Sequence, residues 1–216
     1  MVSHELKTPL TSLNGYSQVL QMHAKRTNDD FATNKLEKVV TQVKKMSALI
    51  NGFLNVSRLE AGKIHLNLQK FDIVTLINEI IEETEVSFSQ HTLNYFPKNA
   101  IEVYADRDKI GSVLSNLLSN AIKYSPGSKT VDITSVVHGT FARVSVRDFG
   151  MGIKPQELNK LFERFYRIES DTMQNISGFG IGLYLCAEII ERHGGTIGVD
   201  SEFGHGSTFF FQIPLS

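Results

Sequence analysis

The hexapeptide His4-Glu5-Leu6-Lys7-Thr8-Pro9 sets an imidazole beside a carboxylate at the head of an amphipathic helical pattern. An exposed histidine in that setting is equipped as a nucleophile, with Glu5 able to take the imidazole proton while the free nitrogen attacks an electrophile such as phosphorus. Thr8 is one helical turn along, on the face of His4, where its hydroxyl can orient a water. Pro9 removes a backbone hydrogen bond and kinks the axis, so a surface His and Glu beside a bent helix is the plainer reading of these six residues alone.

Three further stretches offer groups suited to phosphates and a flat base. In Asn116-Leu117-Leu118-Ser119-Asn120-Ala121-Ile122-Lys123-Tyr124, Asn116 and Asn120 are four apart and share a helix face, with Lys123 one turn beyond Asn120. Amide oxygens are hard ligands that suit Mg²⁺, and an ammonium nearby suits phosphate, although two asparagines also decorate many ordinary half-exposed helices. Asp148-Phe149-Gly150-Met151-Gly152 closes a β-rich run; a carboxylate at a strand end accepts from an exocyclic amine, and Gly150 and Gly152 let a base approach the backbone. The same five residues equally describe a type II turn. Gly178-Phe179-Gly180-Ile181-Gly182-Leu183 opens a helix whose first N–H groups can cradle phosphates. The polar run from Arg164 to Ser177 stands where a dinucleotide fold has a strand, and it reads as a mobile lid.

These groups need elements to hold them. Leu10, Leu13, Tyr16 and Leu20, and after the polar break at Lys25–Asp30 also Leu36, Val39, Val43, Met46, Ile50, Phe53 and Leu54, recur at helical spacing. That pattern predicts an antiparallel hairpin whose apolar stripe is too long for one copy to cover, hence a homodimeric four-helix bundle; packing of the hairpin on its own downstream domain is the alternative. Gly62 suits a helix end, placing a domain boundary between 1–62 and 63–216. Beyond it the reading is a strand at Ile64–Leu68, a helix capped by Asp72 to about Ser89, a strand at Ile101–Ala105, and a helix capped by Asp106 to about Tyr124. A hairpin at 130–137 and 141–146, a helix start at Pro155, a helix ending near His193 and two last strands complete an α+β sandwich. Its sheet is expected to be mixed, mainly antiparallel and covered on one face by helices.

The 216 residues are 41% hydrophobic, enough for real cores, and 22 basic against 23 acidic residues leave no field to draw the chain to nucleic acid. A single cysteine, Cys186, excludes internal disulfides and multi-cysteine metal sites and fits a reducing compartment.

Taken in order, the stretches at His4–Pro9, Asn116–Tyr124, Asp148–Gly152, Phe162-Glu163-Arg164-Phe165-Tyr166-Arg167, Gly178–Leu183 and Gly204-His205-Gly206-Ser207-Thr208 resemble the H, N, G1, F, G2 and G3 boxes of sensor histidine kinases. The resemblance covers nearly the whole chain. It implies a dimeric phosphotransfer hairpin followed by an ATP-binding domain of the Bergerat (GHKL) type shared with gyrase, Hsp90 and mismatch-repair ATPases. It further implies ATP-dependent phosphorylation of His4, transfer to an aspartate of a response-regulator receiver domain, and phosphatase action on that regulator. By the family pattern Asn120 would ligate Mg²⁺ with Asn116 near it, Lys123 and Arg167 would meet phosphates, Tyr124 would line the pocket, and Asp148 would hold the adenine amine. Gly150, Gly152, Gly178, Gly180, Gly182 and Leu183 would complete the nucleotide site, Phe162 and Phe165 would couple lid to hairpin, and Thr208 would support the pocket floor. Two rivals are a gyrase-like ATPase, which usually has a carboxylate where Asn116 stands, and a scaffold with a decayed site. The family usually places a PAS, HAMP or transmembrane input module before the hairpin. Since Met1–Leu6 already looks like helix interior, the chain is expected to be a cytoplasmic fragment, reaching an inner membrane only through a missing N-terminal part.

Overall fold

The computed structural model describes residues 2–60, 65–88, 91–168 and 179–216, without the side chains of 2–7 and of several residues along the second helix. The expected helix end at Gly62, most of the polar run before Gly178, and Gly178 itself lie outside the described residues. The chain divides into two compact units, Met1–Lys63 and Ile64–Ser216.

The first unit is a helical hairpin, α1 (Val2–Arg26) and α2 (Asp30–Glu60), with Pro9 inside α1. Its turn is closed by local chemistry. Asn28 takes the left-handed conformation that ends helices, with φ of 52°, and the Asp29 carboxylate accepts the Ala32 N–H at 2.9 Å to cap α2. Buried Leu10, Ser17 and Ala24 recur every seven residues along α1, and Val40, Val43 and Leu54 are their buried counterparts on α2. A second stripe stays open to solvent: Leu13, Tyr16, Leu20, Val39, Met46 and Phe53, with Tyr16 71% and Phe53 56% exposed.

The second unit runs β1 (Leu68–Asp72), α3 (Ile73–Ser87), β2 (Thr92–Tyr95), β3 (Glu102–Asp106), α4 (Arg107–Tyr124), β4 (Thr130–His138), β5 (Phe141–Asp148), α5 (Pro155–Leu158), α6 (Gly182–Arg192), β6 (Thr196–Glu202) and β7 (Gly206–Pro214). Five strands form one sheet in the order β2-β4-β5-β7-β6, with β2 parallel to β4 and the other pairs antiparallel, while β1 and β3 pair separately. The mixed, mainly antiparallel α+β unit expected from the pattern is what forms.

Strand alternation builds its core. Ala142, Val144 and Val146 of β5 and Phe209, Phe211 and Ile213 of β7 are buried beneath Ile73 and Ile77 of α3, Leu114, Leu117 and Leu118 of α4, and Ile189 and Ile190 of α6. Burying any one of the larger side chains among these is worth about 1.5–3 kcal/mol, so the layer between helices and sheet carries most of the unit's stability. The helix starts follow the expected caps: Asp72 accepts from the Val74 N–H at 3.0 Å, and Asp106 from the Lys109 N–H at 3.1 Å. The first strand begins later than the expected 64–68, at Leu68, and pairs with β3.

Candidate functional site

The inward positions of β5 are 142, 144, 146 and 148, so the alternation that buries three apolar residues aims Asp148 into the same layer at the strand's end. Its carboxylate is 3% exposed, and one oxygen accepts the Gly150 N–H at 2.8 Å. Burial raises its pKa above the ordinary aspartate range, against the opposing pull of the Gly150 and Ser207 N–H donors. What remains is a buried acceptor with capacity to spare, the group needed to hold an amine on a flat ligand.

Backbone crowding fixes what surrounds it. A Cβ on Gly150 would sit 2.2 Å from the Tyr124 carbonyl oxygen, so the end of α4 and the turn after Asp148 meet main chain to main chain. Gly152 has φ of 64° and would place a Cβ 2.0 Å from the Glu202 carbonyl oxygen.

On α4, the Asn120 side-chain amide donates to Asn116 Oδ1 at 3.1 Å, joining the two residues on one face and leaving the Asn120 amide oxygen directed elsewhere. Partial desolvation pulls the Lys123 ammonium below the usual lysine range. Tyr124 is half-buried; burial raises its phenol, and the positive charge of Arg167, the last residue of the F box, opposes that shift. Facing Asn116 is the start of α6. A Cβ on Gly182 would fall 2.5 Å from Asn116 Nδ2, and Ile181, at the N-cap, offers no side-chain hydrogen bond to the first N–H groups of α6. Those N–H groups and the helix dipole make the α6 start a favourable place for an anion. Gly180, with φ of 67°, accepts the Phe165 N–H at 2.8 Å and ties the F-box to the glycine cluster.

The second unit thus gathers Asn116, Asn120, Lys123, Tyr124, Asp148, Gly150, Gly152, Arg167, Gly180, Gly182 and Leu183 around α4, the turn after β5 and the α6 start. Among the described residues no group of three His, Cys, Asp or Glu side chains could hold a metal ion. A hard cation here would rest on amide oxygens and on a ligand's own phosphates, the donor set that fits Mg²⁺. The side chains of His4 and Glu5 lie outside the described residues, and Thr8 is exposed on α1 in the first unit.

Thr208 is a correction. It pairs with Arg147 on β5 and Asp200 on β6 at an outward position of β7, away from the face of Asp148. The residue opposite Asp148 is Ser207, 5% exposed, whose backbone N–H opposes the upward shift of the Asp148 pKa. Sequence reasoning missed Ser207, although the apolar alternation Phe209, Phe211, Ile213 extends back to it by twos.

Comparison with known proteins agrees with this geometry. Residues 1–62 match the model of the His Kinase A (phospho-acceptor) domain, and residues 105–216 match that of the histidine kinase-, DNA gyrase B-, and HSP90-like ATPases. The sensor histidine kinase WalK of Bacillus subtilis is 35% identical over 99% of this chain, and a Staphylococcus aureus sensor protein kinase WalK 34% identical over 99%. The chain spans about a third to a half of those relatives' length, 35% and 52%. Among solved structures, full-length ShkA in complex with AMPPNP superposes with a TM-score of 0.79 at 26% identity, covering 100% of this chain and 45% of that one. With its ATPase-type unit behind a phospho-acceptor hairpin, the chain belongs to the sensor histidine kinases of the histidine kinase-, DNA gyrase B-, and HSP90-like ATPase family.

Proposed function

We propose that this chain binds Mg²⁺-ATP in its second unit, phosphorylates His4, and passes the phosphoryl group to an aspartate of a response-regulator receiver domain. The observation that carries the reading is the buried Asp148 carboxylate, whose following turn packs on the end of α4, together with the Asn116–Asn120 pair that faces the α6 start from the same helix: a base-binding acceptor and a phosphate-binding face joined by α4. Asp148 accepts the adenine amine. Asn120, with Asn116 beside it, would hold the metal, which when bound would neutralise phosphate charge. Lys123, Arg167 and the α6 N–H groups orient the phosphates, and phosphoryl transfer asks mainly for such positioning and charge neutralisation. An imidazole nitrogen of His4 attacks the γ-phosphorus, the bond from that phosphorus to the bridging oxygen breaks, and ADP leaves with the electron pair while Glu5 takes the imidazole proton.

The exposed apolar stripe of the hairpin is the surface that a second copy covers, making a four-helix bundle. Thr8, exposed one turn from His4, orients the water that hydrolyses the phosphorylated regulator. No helix among the described residues is long and apolar enough to cross a membrane. Nucleic acid has no part in the reading, given the balanced charge.

The test is His4→Gln. Because nucleophile and nucleotide site belong to different units, the variant should lose all phosphoryl labelling while its ATP affinity stays within about twofold of wild type. Parallel loss of both would contradict the division of labour.

A further inference from the structure

Two strands across the sheet from Asp148 stands a serine that none of the motifs contains. Ser201, on β6, pairs with Ser207 on β7, and the two hydroxyl oxygens are 2.9 Å apart. The Ser201 oxygen also accepts the Ile153 N–H at 2.9 Å and donates to the Gly206 carbonyl oxygen at 3.0 Å. A serine hydroxyl has one proton and two lone pairs. With that proton on Gly206 and one lone pair on Ile153, the contact with Ser207 must run the other way, the Ser207 hydroxyl donating to Ser201. Ser201 is therefore saturated, and it joins the far end of the turn after β5 to both residues that open β7.

Those residues are the ones that set the carboxylate. Ser207 stands directly opposite Asp148 in the β5–β7 pairing, and a Cβ on Gly206 would stand 2.2 Å from the Asp148 carbonyl oxygen. The turn itself is pressed on the β6–β7 connection, with the Gly204 N–H donating to the Met151 carbonyl at 2.7 Å. The Gly150 N–H that donates to Asp148 and the residue opposite it, Ser207, belong to segments that Ser201 ties together.

We infer that Ser201 is a positioning residue for base recognition: it holds the Gly150–Ile153 turn and the β7 start in the register that keeps the Asp148 carboxylate aimed at a purine amine. The inference rests on the reading of Asp148 as the adenine acceptor. It concerns selectivity, which a residue serving stability alone does not govern.

The test measures binding of ATP and of inosine triphosphate, whose 6-oxo group replaces the amine, to the 216-residue chain by calorimetry, for wild type, Ser201→Ala, Ser201→Thr and Asp148→Asn. Wild type should prefer ATP. Ser201→Ala leaves the Ile153 N–H without its acceptor and should weaken ATP binding roughly tenfold, with little change for inosine triphosphate. Ser201→Thr keeps the hydroxyl and should restore most of the preference. A fall of equal factor for both nucleotides, or an unchanged ratio in Ser201→Ala, overturns the positioning role while leaving Asp148 in place. A wild type that does not distinguish the two nucleotides, or an Asp148→Asn that distinguishes them as well as wild type does, overturns the adenine reading itself and this inference with it.

Discussion

Gly182→Ala separates what a glycine does for packing from what it does for the ligand. The added methyl would lie 2.5 Å from Asn116 Nδ2 and 3.1 Å from its Oδ1, with no backbone atom of another element among its nearest neighbours. Gly182 is outside the left-handed region, so alanine is conformationally acceptable and adds helix propensity at the α6 start, worth up to about 1 kcal/mol. The yielding partner is the Asn116 side chain, which must retreat by roughly 1 Å to reach ordinary carbon contact distance. That movement breaks the 3.1 Å bond from Asn120, a loss of about 1 kcal/mol. The two effects on stability offset each other, and the melting temperature should move by no more than about 4 °C. Ligand binding has no such compensation, because both asparagines leave the positions that would face the metal and phosphates. A weakening of about 1–2 kcal/mol, or roughly 5- to 30-fold in the Mg²⁺-ATP dissociation constant, is expected. Calorimetry of nucleotide binding beside thermal melting of the free chain measures both. An unfolded variant, or a folded one with wild-type Mg²⁺-ATP affinity, would refute the reasoning that Gly182 acts through Asn116.

Asp148→Asn should weaken ATP binding by about tenfold or more, since an amide loses acceptor capacity and turns a donor toward the amine. In the free chain its stability effect should run with pH. Because the folded pKa of Asp148 is raised, its favourable contribution is complete below the ordinary aspartate range, about 4, and is lost as pH rises through the folded value, so melting of the variant relative to wild type should improve from acid to neutral pH. A difference independent of pH would show that the carboxyl is not perturbed. Thr8→Ala should keep autophosphorylation within about threefold and remove most phosphatase activity toward the phosphorylated regulator, measured on one preparation. A matched fall in both rates would take Thr8 off the catalytic list.

Much of this was legible because the relevant signals are local. Asp72 and Asp106 could be read as caps since the residue that ends the strand also satisfies the next helix's first N–H groups, and the structure has both doing so. Asn116, Asn120 and Lys123 needed only helical spacing to be placed on α4. Pairings between distant segments were less visible. The four-residue strand Thr92–Tyr95 has too little alternation to announce itself, and it exists because it joins the sheet edge in parallel with β4. Ser207 rather than Thr208 stands opposite Asp148 for a similar reason: which of two adjacent hydroxyls does so is decided by the register of β5 against β7. Ser201 depends on a third strand and on the turn after β5 at once, so no short stretch of sequence displays it.

The central claim is transfer of the γ-phosphoryl group of ATP to His4, and γ-labelled ATP with Mg²⁺ tests it most directly through the chemistry of the product. A phosphorus–nitrogen bond to imidazole is broken by acid and survives base, whereas phosphate esters of serine and threonine survive acid. The account predicts label on the chain that acid removes, alkali spares, a peptide containing His4 carries, and His4→Gln lacks. Label that resists acid, or that persists in His4→Gln, would contradict it, as would a chain that binds Mg²⁺-ATP and acquires no label at all.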